Sequence, residues 1–170
     1  RPGYFMPIEQ SWRRKNDLSA YPRLEASNRL LQAVFNMGLD EMVNAVEPDT
    51  TLRTGKEWAG VWTRDVSYSI ILSMAALQPE ASRISLMRKV NEQGQIIQDT
   101  GSGGAWPVSS DRLVWVLAAW EVYKVTGDRA WLETAYPIAC RSLAKDSETV
   151  ARSGLMTGET SFIDWREQSY

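Results

Sequence analysis

Five helical patterns follow one another along this chain and alternate in character, and that alternation is what most limits its fold. From Glu25 to Val46 apolar residues recur at Leu31, Phe35, Leu39, Met42, Val43 and Val46, the spacing of one helix face, and Glu47-Pro48-Asp49 ends the pattern. Val66 to Leu77 is apolar almost all round, which requires neighbours on most sides. Pro79 to about Glu92 is one-sided again, with Ala81, Ile84, Leu86, Met87 and Val90 set against Arg83, Arg88 and Lys89. The run DRLVWVLAAWEVYKVTG from Asp111 is apolar on most faces, and Gly127 supplies a left-handed stop. Asp128 caps a fifth helix that carries Arg141, Lys145, Asp146 and Glu148 on a polar side and is expected to bend near Pro137. No stretch alternates with period two, so the fold class is all-α. Half-wet helices on the outside and buried helices on the inside give a toroid of helical hairpins. Residues 1–22 form an extension, residues 23–170 the N-terminal part of the toroid, and a sixth, inner helix is expected after residue 170.

Composition narrows the chemistry. Hydrophobic residues at 44% and charged residues at 24% describe a globular chain able to bury a core. The net charge of −2 includes no basic cluster, so neither nucleic acid nor an anionic membrane is an expected partner. No apolar run reaches the roughly 18–20 residues that span a bilayer. The chain opens on Arg1-Pro2-Gly3 without a signal-like region, so any export signal would lie upstream and the localisation stays open. There is no histidine, which removes Ser-His-Asp and Cys-His catalysis and disfavours zinc. No metal and no cofactor is expected, and chemistry has to come from carboxylates, Arg, Lys or Tyr. The one cysteine, Cys140, sits in a helical pattern beside Ala139 and Leu143 and reads as a buried, inert thiol.

The three outer-to-inner junctions hold the unusual residues, and in a toroid of hairpins all three open at one end. The first has Trp62, Arg64 and Asp65, the second Trp106, Asp111 and Arg112, and the third Asp164, Trp165, Arg166 and Glu167. Taken singly, Asp65 and Asp111 can be N-caps, contributing about 1 kcal/mol each, and an Arg can stack on a neighbouring indole. Taken together, aromatic, acidic and Arg groups converging on one cavity suit a sugar. Its rings lie on indoles, and its hydroxyls accept hydrogen bonds from Arg and donate them to Asp.

Gly60-Val61-Trp62-Thr63-Arg64-Asp65 resembles the WTRD segment of glucoamylases, in which Arg and Asp hold the hydroxyls of the terminal sugar. Ser161-Phe162-Ile163-Asp164, followed by Trp165-Arg166-Glu167, is similar in position to the acid loop of the same superfamily. It also resembles the Ser-Gly-x-Asp pattern of trehalases and processing α-glucosidases, with Phe162 in place of Gly. GSGGAWPVSSDRLVW and VTGDRAWL look like the second and third hairpins of bacterial six-hairpin glycosidases. The resemblance implies an (α/α)6 barrel and an inverting, exo-acting glycoside hydrolase working on α-glucosides or related sugars of an oligo- or polysaccharide.

In that scheme Arg64 and Asp65 bind the non-reducing terminal sugar, with Trp62, Trp106, Asp111, Trp165 and Arg166 around it. Asp164, in the trehalase-like register, or Glu167, nearer the glucoamylase register, is the general acid, and the base lies on a later loop. Residues 1–170 alone are then expected to be inactive. The resemblance leans towards a periplasmic or secreted protein. An epimerase or polysaccharide lyase on the same toroid is disfavoured by the lack of His. A non-catalytic carbohydrate-binding or helical scaffold protein would use the same Trp and Asp residues without turnover.

Overall fold

The structure, a computed structural model, describes residues 11–97, 110–149 and 151–156. It is mostly helical with almost no strand, an all-α fold, and it divides into two compact units, residues 1–44 and 45–170.

The first unit is built on helix α1 (Arg29–Asn44). Asn28 starts it by accepting the Leu30 N–H on its side-chain oxygen at 2.9 Å, an N-cap that satisfies a backbone donor the helix cannot. Leu39 and Met42 are buried, as the spacing predicts, but Leu31 is exposed, as are Leu30 and Val34 beside it. Asp40 lies on the buried side, 1% exposed, and holds the preceding segment. It accepts the Asn16 backbone N–H and the Asn16 amide, each at 2.9 Å, and the Lys15 N–H at 3.2 Å. Burial by itself would raise the Asp40 pKa. The hydrogen bonds from Asn16 and Lys15, with the Lys15 charge, outweigh it and hold the carboxyl below its ordinary value. The 15–16 segment is thereby part of the same unit as α1.

The second unit begins with a turn in which Leu52 is buried and its N–H donates to Ser85 Oγ at 2.7 Å. Helix α2 (Thr63–Ser69) runs on through a π-helical turn (Ile70–Met74) into α3 (Ala75–Leu77). The wider π turn offsets the drift of a four-residue spacing on an α-helix, so Val66, Ile70 and Met74 all stay on the buried face. Helix α4 (Pro79–Arg88) has proline at its first turn, where the missing N–H costs nothing. A 3-10 turn (Ser110–Leu113) leads into α5 (Val114–Thr126), which ends at Gly127 with φ +63°. Asp128 caps α6 (Arg129–Thr149) by accepting the Ala130 N–H at 3.0 Å. A two-residue pair, β1 (Ala151–Arg152) and β2 (Leu155–Met156), closes the described chain.

Two tryptophans lock this unit. Trp115 is fully buried, and its indole N–H donates to the Leu86 carbonyl of α4 at 2.7 Å. The indole N–H of Trp131 on α6 donates to the Ala119 carbonyl of α5 at 2.9 Å, and the two rings pack 6.3 Å apart at 42°. These contacts also set direction. The start of α5 meets the end of α4, and Arg112 just before α5 pairs with Asp146 near the end of α6, so α4 and α6 run antiparallel to α5. Helix α2 packs on both α5 and the 3-10 turn that leads into it, whereas α3 packs on α5, which sets α2 parallel to α5. The starts of α2 and α5 therefore lie at the same end of the unit.

Three expectations need correction. Neither inner helix is covered on most sides: Leu72 is 81% exposed, and Leu117, Trp120 and Val125 line an open face of α5, because no other element among the described residues packs there. Cys140 is exposed. The buried positions of α6 are Trp131, Ala135, Ile138, Ala139, Ser142 and Asp146, and the residue after Ala139 is turned about 100° away from that stripe, beside Tyr136. The Tyr136 phenol pKa is raised, chiefly by its side-chain hydrogen bond with Cys140. Asp146, read as part of the polar side, belongs instead to that buried stripe.

Candidate functional site

The segment Trp62-Thr63-Arg64-Asp65 forms the first turn of α2. Trp62 is the N-cap residue, extended at φ −107° and ψ 125°, and it makes no side-chain cap hydrogen bond. Thr63 is buried and donates its hydroxyl to the Ile97 carbonyl at 3.0 Å, which ties the helix start to the 96–97 segment. Asp65 is three residues inside the helix and so is not its cap, which removes the capping explanation for this residue. Among the described residues its carboxylate makes no hydrogen bond or ion pair, while its backbone carbonyl accepts the Ser69 hydroxyl at 3.1 Å. The partial positive charge of a helix N-terminus favours an anion at this position. Arg64, beside it, is half-buried.

The loop before α2 presents aromatic surface. Trp58, 47% exposed, meets Trp62 edge to face, ring centroids 5.9 Å apart at 88°. A tight turn in which the Gly55 and Trp58 backbones bond each other carries Trp58. Arg53 braces that turn from below, donating to the Gly55 carbonyl at 2.9 Å and the Lys56 carbonyl at 2.8 Å and pairing with Glu47 at 3.3 Å. Gly60 takes φ +85°, a backbone that other residues adopt at a cost, and its carbonyl accepts the Thr54 N–H at 3.3 Å. Sequence reasoning overlooked Trp58. A second tryptophan four residues before Trp62, inside the same glycine-flanked loop, was the available signal.

Of the second junction, Asp111 lies in the 3-10 turn that touches α2, and only its backbone is described. Arg112, beside it in the sequence, is largely buried. It turns inward to pair with Asp146, and burial lowers its guanidinium pKa. Trp106, Asp164, Trp165, Arg166 and Glu167 lie outside the described residues.

The start of α2 and the 3-10 turn before α5 thus come together at one end, and Asp146 near the end of α6 reaches the same turn through Arg112. Among the described residues no group of carboxylates, His or Cys could hold a metal ion, and no helix is long and apolar enough to cross a membrane. A groove of about 100 Å³ between α5 and α6, walled by Trp115, Trp120 and Tyr136 over a floor of Ala119, Ala135 and Ala139, is almost wholly apolar and contains none of the α2 residues. No protein-family model, curated protein or solved structure matches this chain.

Proposed function

We propose that the start of α2 binds the terminal sugar of an α-linked oligosaccharide, and that the chain forms part of an inverting glycoside hydrolase on an (α/α)6 toroid. The observation that carries this reading is the Asp65 carboxylate, held in the first turn of α2 without a capping role and beside the Trp58–Trp62 pair. A sugar ring lies on the exposed indole face, its hydroxyls donate to Asp65, and Arg64 donates to its oxygens. Hydrolysis then requires an acid that protonates the departing oxygen, assigned to Asp164 or Glu167. It also requires a carboxylate base that removes a proton from the water attacking the anomeric carbon from the opposite face. No cofactor takes part in this scheme.

Calorimetric titration with maltotriose tests the binding step. Hydrogen bonds to a charged group are worth about 1.5–3 kcal/mol, so Asp65→Asn should weaken binding by roughly ten- to a hundredfold. Because Asp65 is not the cap, stability should fall by no more than its interaction with the helix N-terminus, about 0.3–1 kcal/mol. Unchanged affinity, or a large stability loss with affinity intact, would reject the assignment.

A further inference from the structure

Ser142 and Asp146 stand one turn apart on the buried stripe of α6 and hold on to two different parts of the unit. Ser142 Oγ accepts the Ile96 N–H at 2.9 Å and donates to the Ile138 carbonyl at 2.9 Å. The next residue, Ile97, accepts the Thr63 hydroxyl at the start of α2. Asp146 pairs with Arg112 at the start of α5. A short length of α6 is thus connected, through four polar side chains, to both helix starts at the candidate sugar site.

The pair is poorly suited to adding stability. Apart from the ion pair itself, both Asp146 oxygens and Arg112 Nε lack hydrogen-bond partners among the described residues. A buried ion pair recovers its desolvation cost only when its remaining donors and acceptors are satisfied, and well-packed apolar residues usually hold helices together as well or better. What an apolar pair does not do is specify where Arg112 must sit.

We infer that Asp146 and Ser142 are positioning residues, which fix the start of α5 and the start of α2 relative to each other and so set the shape of the sugar site. The inference rests on the sugar-site reading above. Neither residue touches the sugar; both act through Arg112 and Thr63.

The test compares stability with maltotriose affinity in the doubly substituted Arg112→Met/Asp146→Leu protein. The expected result is a melting temperature equal to or above that of the wild type, with affinity reduced about tenfold, the scale of coupling between distant sites. Wild-type affinity in a stable double variant overturns the inference and leaves the sugar site standing. If the double variant does not fold, Asp146→Glu keeps the charge and displaces the guanidinium; it should lose a similar factor, and unaltered affinity there overturns the inference equally. Failure of the wild-type protein to bind maltotriose overturns the sugar-site reading and this inference with it, and is seen before any substitution is made.

Discussion

Replacing Trp115 with alanine is expected to cost the 45–170 unit about 3–5 kcal/mol, the range for deleting a fully buried aromatic side chain. Trp115 has no exposed surface, and its indole N–H holds the Leu86 carbonyl of α4 while its ring faces Trp131 of α6. Its loss removes the apolar contact, about 0.5–1.5 kcal/mol of ring pairing, and one bond between helices. It leaves a cavity that the three helices cannot all close upon at once. Since whole domains are stable by only about 5–15 kcal/mol, the variant should lose a large share of its stability. Trp120, on the same helix and 48% exposed, is the control: Trp120→Ala should move the urea midpoint far less. Equal losses in the two variants would show that the core is not where the structure puts it.

The largest effect on activity is expected at Asp164. In the proposed hydrolase the acid gives its proton to a departing sugar oxygen, and removing such a group typically costs about 10²–10⁴ in rate. Asp164→Asn should show that loss on substrates with poorly acidic leaving groups and retain hydrolysis of aryl glycosides whose leaving phenol is already acidic. If Glu167→Gln shows the selective loss and Asp164→Asn does not, the acid is Glu167. If neither substitution changes either substrate class, the glycosidase proposal fails.

Helix boundaries were legible where local chemistry decides them. Asp128 caps α6, Gly127 takes the left-handed stop and Pro79 opens α4, each as residue type alone predicts. The first helix ends at Asn44, short of the Glu47-Pro48-Asp49 stop, because Val46 leaves the helix to bridge with Leu52. The π turn had no signal in Ile70-Ile71-Leu72-Ser73-Met74, since its wider hydrogen bonding changes the phase of a helix without changing its composition.

Asp146 was misread for a physical reason. A carboxylate next to Lys145 and near Glu148 looks solvated, and the partner that lets it be buried, Arg112, is distant in sequence. The opposite error befell Leu72, Leu117 and Trp120, because an apolar residue states a preference for burial and not which neighbour supplies it. At the candidate site the sequence located Trp62, Arg64 and Asp65 at a helix start. That Trp62 occupies the cap position and Asp65 the first turn depends on where the helix begins, to the residue, and such boundaries are the least legible feature of a sequence.

The central claim, that the start of α2 is a sugar site, is tested most directly by the indole N–H resonances of the protein during titration with maltotriose. The account predicts saturable shifts of the Trp58 and Trp62 resonances, while those of Trp115 and Trp131, buried and bonded to the Leu86 and Ala119 carbonyls, stay in place. Saturation with the Trp58 and Trp62 resonances unmoved, or no saturable shift at any indole, would contradict it.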